Sequence, residues 1–307
     1  MPKKIVICPQ KDAVCAAKFI RKMRGGSQSS LIETEDGNYY IVKLMQNPQG
    51  TEILLNEVLG TEIMKLVGLK TPNWSPIWIS ERFIEDNPAL WYESANSGRR
   101  RPPPGLHFGS KLILPKANED IYEVLPRSWF SRILHREDFI GMLLFDLWAN
   151  QRDNRQAIFL QNQESHSIEV TYIDHGCLFG PEDTAKPAKR IRPMYMDPAI
   201  YSNIDLEATL PHWEARIRTL SESVLSSLIN RLSIPAQWYT PQDINRIVSG
   251  LVTRRALLGK YADLIRATLK NLRIDMLVEP PDELQICGAR LCTDSYRRIR
   301  LALPRVG

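Results

Sequence analysis

The sequence predicts an α+β protein built in two parts, and three observations lead there. Strand-forming residues crowd the first third, where Tyr39-Tyr40-Ile41-Val42-Lys43-Leu44 follows the hairpin signal Asp36-Gly37. Helical character sets in after Pro126 and continues to about Leu272. Strands and helices do not alternate along the chain, so a parallel βαβ sheet is not expected.

Taken in order, Lys11 to Arg24 mixes apolar and basic residues. Val14, Ala17, Lys18 and Arg21 fall at helical spacing and predict a short helix. Gly25-Gly26-Ser27-Gln28-Ser29-Ser30 is small and polar, a turn before the strand Leu31 to Thr34. Thr51 to Val67 predicts a helix with Leu54, Leu55, Val58, Leu59, Ile63, Leu66 and Val67 on one stripe, stopped by Gly68. Pro72 to Ser80 and Leu106 to Leu114 have strand character. Glu85 to Gly105, polar and proline-rich, is expected to be a mobile loop. Glu137 to Asn150 is apolar almost all round and predicts a buried helix. Two strands then follow as a hairpin, the second ending at Tyr172-Ile173-Asp174. Phe179 to Pro198 is proline-rich and irregular. Leu206 to Leu272 predicts helices, and residues 276–307 receive no assignment.

Composition excludes several classes. The 307 residues are 43% hydrophobic and 24% charged, ordinary for a globular chain with a substantial core. No apolar run approaches the roughly 20 residues of a membrane span. The opening Met1 to Pro9 is too short and too soon broken for a signal peptide, so a cytoplasmic protein with no membrane partner is expected. The 5 cysteines form an odd, scattered set, which fits reduced thiols better than a disulfide framework. Cys287 and Cys292 lack the second half of a zinc site. The net charge of +5 is too mild to require a nucleic-acid partner. Basic clusters at Arg99 to Arg101, Lys186 to Arg192 and Arg297 to Arg300 fit solvated loops better than an anionic docking face.

The residues that carry chemistry stand in a telling order. A glycine turn at Gly25 and Gly26 lets backbone N–H groups approach phosphate oxygens. Ser27, Gln28 and Ser29 complete that turn as candidate nucleotide contacts. Lys43, in the return strand, can neutralise phosphate charge, and Glu57, in the next helix, can hold it by an ion pair. Asp153 follows the buried helix and can orient an acceptor hydroxyl. Asp174, before Gly176, can hold a magnesium ion. Each residue alone fits a bland role: a turn glycine, an exposed strand lysine, a solvated helix charge, a turn-capping aspartate. Their order together predicts phosphoryl transfer. Asp146, seven residues before Asp153 on the helix, is expected to anchor the loop.

Several stretches resemble the HipA-like kinases, in particular their short, free-standing branch. They are Gly26-Ser27-Gln28-Ser29, Asp36-Gly37 through Lys43, Asn56-Glu57-Val58-Leu59-Gly60, Phe108-Gly109-Ser110, Phe139 through Trp148, Arg155 through Phe159, Ile173-Asp174-His175-Gly176 and Ile234 through Tyr239. The resemblance spans roughly residues 20–265. It implies a two-lobe protein-kinase-like fold, ATP and Mg2+ as cofactors, and transfer of the γ-phosphate to a serine or threonine hydroxyl. The corresponding division is an N-lobe at 1–115, a helical C-lobe at 116–280 and a tail at 281–307. It also implies a protein substrate and an antitoxin-like partner; nucleic acid is not expected as a direct ligand. The toxin members carry an asparagine five residues after the catalytic acid as a second metal ligand. Here that position is Ile158, and Gln156 is the nearest amide able to serve. His175 replaces the phenylalanine of many protein kinases and is expected to pack or hydrogen-bond locally. The missing asparagine keeps a nucleotide-binding pseudokinase open as an alternative. A phosphoinositide or other small-molecule kinase is a third, because such kinases share the distant architecture.

Overall fold

The structure, a computed structural model, describes residues 12–23, 25–46, 49–50, 52–94, 98–180 and 197–278, with short strands at 284–286, 289–291 and 297–298. The first elements are β1 (Val14–Lys22), β2 (Ser30–Thr34), β3 (Tyr39–Lys43), α1 (Ile53–Val67), β4 (Trp74–Ile79) and α2 (Glu81–Asp86). Next come β5 (Tyr92–Ser94), β6 (Gly98–Arg100), β7 (Gly105–Lys111), β8 (Glu119–Val124), α3 (Asp138–Trp148), β9 (Gln156–Asn162) and β10 (Ile168–Ile173). The helices α4 (Leu206–Arg218), α5 (Glu222–Arg231), α6 (Pro241–Arg255) and α7 (Leu258–Val278) follow. Three short strands come last: β11 (Leu284–Ile286), β12 (Ala289–Leu291) and β13 (Arg297–Arg298).

Five strands close a barrel in the order β1-β2-β3-β7-β4. Its pairings are antiparallel except β1 with β4, where Val14 faces Ile77. Ile32, Val42 and Ile77 fill the interior at 0% exposure. Gly109 of β7 lets Ile77 pack close, because a Cβ there would stand 2.5 Å from Ile77 Cγ1. A second sheet, ordered β10-β9-β8-β13, carries the hairpin β9–β10.

The larger core joins α1 to the helices that follow the hairpin. Leu55, Val58 and Leu59 of α1 are as fully buried as Phe145 and Trp148 of α3 and Ile265 of α7. Trp148 Nε1 donates to Leu251 O at 2.9 Å and Arg254 Nε donates to Trp148 O at 2.6 Å, which ties α3 to α6. Gly141 of α3 lies directly against the Trp213 ring of α4, with no room for a methyl group. A strand-rich first part and a helix-rich remainder make the two-lobe α+β class that the sequence predicts.

Three local expectations are corrected. Lys11 to Arg24 is not a helix: Val14–Lys22 is a barrel strand paired on both sides. Register shifts against β2 between Ala16 and Lys18 and between Phe19 and Arg21 break the period-two alternation by which a strand is recognised. Glu85 to Gly105 is not one loop. Ser80 caps α2 by accepting from Phe83 N, and β5 and β6 form a hairpin. Cys177 is a free thiol but Cys15 is disulfide-bonded, so the expectation of reduced thiols fails at Cys15. β8 lies in a stretch that received no assignment. Cys8, Cys287, Cys292 and Lys186 to Arg192 lie outside the described residues. Among the described residues no helix is long and apolar enough to cross a membrane.

Candidate active site

A cavity of about 320 Å³ lies between the barrel and the hairpin β9–β10. Gly25, Gly26, Ser27, Ser29, Lys43, Glu57, Asp153, Gln156 and Asp174 all line it. Residues up to 149 positions apart in the chain are therefore brought together as the sequence predicts (25 to 174). Gln28 is the exception. Its side chain bonds Lys22 and the backbone of Glu93, and it does not line the cavity.

Lys43 is the centre of the arrangement. Its Nζ donates to Glu57 Oε1 at 2.5 Å and to Asp174 Oδ1 at 2.7 Å. Burial of Lys43 works against its charge, but the two carboxylates outweigh it and raise its pKa well above the ordinary lysine range. Burial pushes Glu57 up, against the pull of Lys43. Its Oε1 also accepts from His175 N at 3.1 Å and Gly176 N at 2.9 Å, and three N–H donors on one oxygen favour the carboxylate. Burial also works against Asp174, but Lys43 prevails and holds its carboxyl below the usual range.

The backbone places Asp174 by a sharp turn. Asp174 itself takes a left-handed conformation at φ 62°, one of the few side chains to tolerate it. Arg155 braces the turn from behind. Its Nη1 donates to Ile173 O at 3.3 Å, Asp174 O at 3.1 Å and His175 Nδ1 at 2.8 Å. Its Nη2 and Nε reach Asp146 at 2.5 and 3.3 Å. Asp146 thus anchors the loop; burial raises its pKa against the opposing pull of Arg155. Because a guanidinium only donates, His175 Nδ1 accepts and Nε2 carries the proton toward Thr71 Oγ1, 2.8 Å away. Burial first, then Arg155, holds that imidazole neutral, its pKa well below the ordinary value. Local packing and hydrogen bonding are the role expected of His175.

On the α1 side, Asn56 Nδ2 donates to Gly176 O and Leu178 O, both at 2.9 Å. Gly60 lets α1 lie against His175 and Leu178, since a Cβ there would stand 2.6 Å from each. Gly176 is tight but less so, a Cβ there standing 3.1 Å from Ile53 Cγ2 and 3.2 Å from both Lys43 Nζ and Glu57 Oε1.

Asp153 is held far more loosely. It is exposed, and its Oδ1 accepts from Asn154 N at 2.7 Å. Gln156 Nε2 donates to Asp174 Oδ2 at 2.9 Å, which leaves its Oε1 as an acceptor beside the carboxylate. One carboxylate and one amide oxygen fit a hard cation such as Mg2+, which takes most of its ligands from phosphates and water. Among the described residues no group of three or more His, Cys, Asp or Glu side chains forms a metal cage.

Part of the cavity went unread in the sequence. Leu31, Ile41, Phe108, Leu112, Ile113, Ile121, Ile158 and Ile173 give it an apolar wall. Ile158, which reads in sequence as a missing asparagine, belongs to that wall. The wall has no sequence motif, because its residues come from six strands and one loop. A larger cavity of about 580 Å³, lined by His135, Asp138, His212 and Arg216 among others, holds none of these residues.

A lysine on the third strand, its glutamate on the following helix and an acid–X–glycine turn are parts of a protein-kinase site. No protein-family model matches the chain, and no curated protein matches it. Solved structures that resemble it include the Golgi casein kinase, at 12% identity and TM-score 0.49 over 84% of this chain and 73% of that one. The Golgi casein kinase with Mn/ADP bound matches at 11% identity and TM-score 0.47, over 84% of this chain and 72% of that one. A Helicobacter pylori proinflammatory kinase, CtkA, matches at 12% identity and TM-score 0.49, over 83% of this chain and 96% of that one.

Proposed function

We propose that the protein is an ATP- and Mg2+-dependent phosphotransferase of HipA-like type that phosphorylates a serine or threonine hydroxyl of a protein. The observation that carries this reading is the buried Lys43–Glu57 pair with Asp174 bonded to the same Nζ. A lysine so placed is fully charged and has one partner, Asp174, that a phosphate oxygen can replace. Gly25 and Gly26 offer backbone N–H groups at the same cavity, and the apolar wall suits a purine ring. Asp174 and Gln156 would hold the magnesium ion, which when bound neutralises phosphate charge. Asp153, exposed and free to meet an acceptor, accepts the hydroxyl proton. Glu57 keeps Lys43 in register, and Arg155 keeps the Asp174 turn in its left-handed form. The lobe division at 1–115 and 116–280 is proposed with it, as are a protein substrate and an antitoxin-like partner.

Ile158 supports a second reading, a pseudokinase that binds nucleotide without transfer, because it supplies no second metal ligand. Titration calorimetry with ATP and Mg2+, beside a phosphate-transfer assay, separates the two. On the first reading Asp174→Asn weakens metal-dependent binding. Asp153→Asn binds as wild type does and loses transfer ~10²–10⁴-fold. Wild-type binding without transfer to any hydroxyl acceptor supports the pseudokinase. No binding at millimolar nucleotide defeats both. Transfer to a phosphoinositide but not to protein moves the acceptor to the small-molecule class.

A further inference from the structure

Gln28 sits inside the glycine turn, yet its side chain leaves the cavity. Its backbone is left-handed at φ 47°, and its amide pairs with the hairpin β5–β6. Oε1 accepts from Glu93 N at 2.7 Å, and Nε2 donates to Glu93 O at 2.9 Å. One side chain thus satisfies both backbone groups of one residue, as a neighbouring strand would. Lys22, at the end of β1, donates to the same Oε1 at 3.1 Å. Lys22 Nζ also lies 3.4 Å from the centroid of the Trp91 ring, and the Arg99 guanidinium lies 4.1 Å from it. The turn is otherwise closed by Met23 N to Ser29 O at 2.8 Å and Gln28 N to Gly25 O at 3.2 Å.

We propose that Gln28 is a positioning residue for the nucleotide. With Lys22, Trp91 and Arg99 it forms a clamp that fastens the glycine turn to the β5–β6 hairpin and fixes its N–H groups for phosphate. This rests on the phosphotransfer reading of the same cavity. A turn with two adjacent glycines has high conformational entropy when free. Ordering it before nucleotide arrives lowers the cost of binding, so the clamp acts on affinity and leaves the chemical step to Lys43, Asp153 and Asp174.

The test uses the full chain, with ATP and Mg2+ as the probe. Loss of Gln28's two hydrogen bonds to Glu93 in Gln28→Ala is expected to raise the KM for ATP ~10-fold, with kcat within ~3-fold. Gln28→Glu keeps the acceptor for Glu93 N and Lys22 and loses the donor, so its KM falls between alanine and wild type. Trp91→Ala touches nothing in the cavity and should raise KM in the same direction. Hydrogen exchange at the turn amides should quicken in Gln28→Ala. A lower melting temperature with unchanged KM and unchanged turn exchange would mean that Gln28 only supports the fold, and would overturn the inference. A fall in kcat at constant KM would overturn it as well. If wild type binds no nucleotide, the phosphotransfer reading falls and this inference with it. If wild type binds and all three variants match it, the inference alone falls.

Discussion

Two buried ion pairs stand on opposite sides of the turn Asp174 to Gly176, and both close at 2.5 Å. In front, Lys43 holds Glu57 and lends a second bond to Asp174, whose side chain is 29% exposed at the cavity. Behind, Arg155 directs all its bonds to Asp146, two carbonyls and His175. The acid shared by the front cation, Asp174, lines the cavity at 29% exposure; the acid of the rear pair, Asp146, is 14% exposed and does not line it. On the proposed function that difference separates a pair that meets the nucleotide from a pair that holds the turn, although the two pairs close at the same distance.

The comparison breaks most directly at the rear pair. Arg155→Met strands Asp146 without its counter-ion and should cost ~3–5 kcal/mol of stability, read from urea unfolding. An unchanged unfolding midpoint would show that Arg155 does not carry the turn. At the front, Lys43→Ala should reduce transfer ~10²–10³-fold while unfolding shifts less than in Arg155→Met, because Glu57 keeps two N–H donors. Glu57→Gln should lose less activity than Lys43→Ala. Equal losses of stability at the two sites would erase the distinction between them. Gly60→Ala forces α1 away from His175 and Leu178. It should cost ~1–3 kcal/mol in thermal or urea unfolding and reduce transfer with it.

The smallest effect sharpens the comparison with a carboxyl that lacks an ion pair among the described residues. Asp138 is pushed by burial, against weaker help from His135, from 3.8 up to about 6. Between those values the folded state holds a proton that the unfolded state has released, so stability falls as pH rises. Asp174 has the opposite sign: its contribution is present above the usual carboxylate range and disappears as pH falls through its depressed value. Asp138→Asn should therefore gain on wild type between pH ~4 and ~6, by on the order of 1 kcal/mol once solvent screening is discounted. Asp174→Asn should lose its handicap below pH ~4. Melting temperatures across pH for both variants check the two slopes.

Legibility in the sequence followed how local the cause was. Asp36-Gly37, Gly68 and the buried run of α3 act through their own turns and faces, and their elements fall where expected. Lys43, Glu57, Asp153 and Asp174 stand out in the sequence by their order along the chain, and the structure brings all four to one cavity. β1 does not read as a strand because its pairing with β2 shifts register twice, and such shifts show only in the pairing of distant residues. The direction of Gln28 was hidden for the same reason: its partner, Glu93, lies 65 positions away on a hairpin that the sequence presents as a loop. The apolar wall is a surface assembled from many strands, and no spacing rule describes it.

Asn56 adds a mechanical consequence. Its two bonds reach Gly176 and Leu178, and the adjacent Glu57 accepts from His175 and Gly176. Four hydrogen bonds therefore lock the N-terminal part of α1 to the segment that follows Asp174. A helix so fastened cannot swing outward and leave its neighbour behind. Any lever that tilts α1 must drag that segment along, so Glu57 and Asp174 shift as linked cogs, and Lys43 would part from both together.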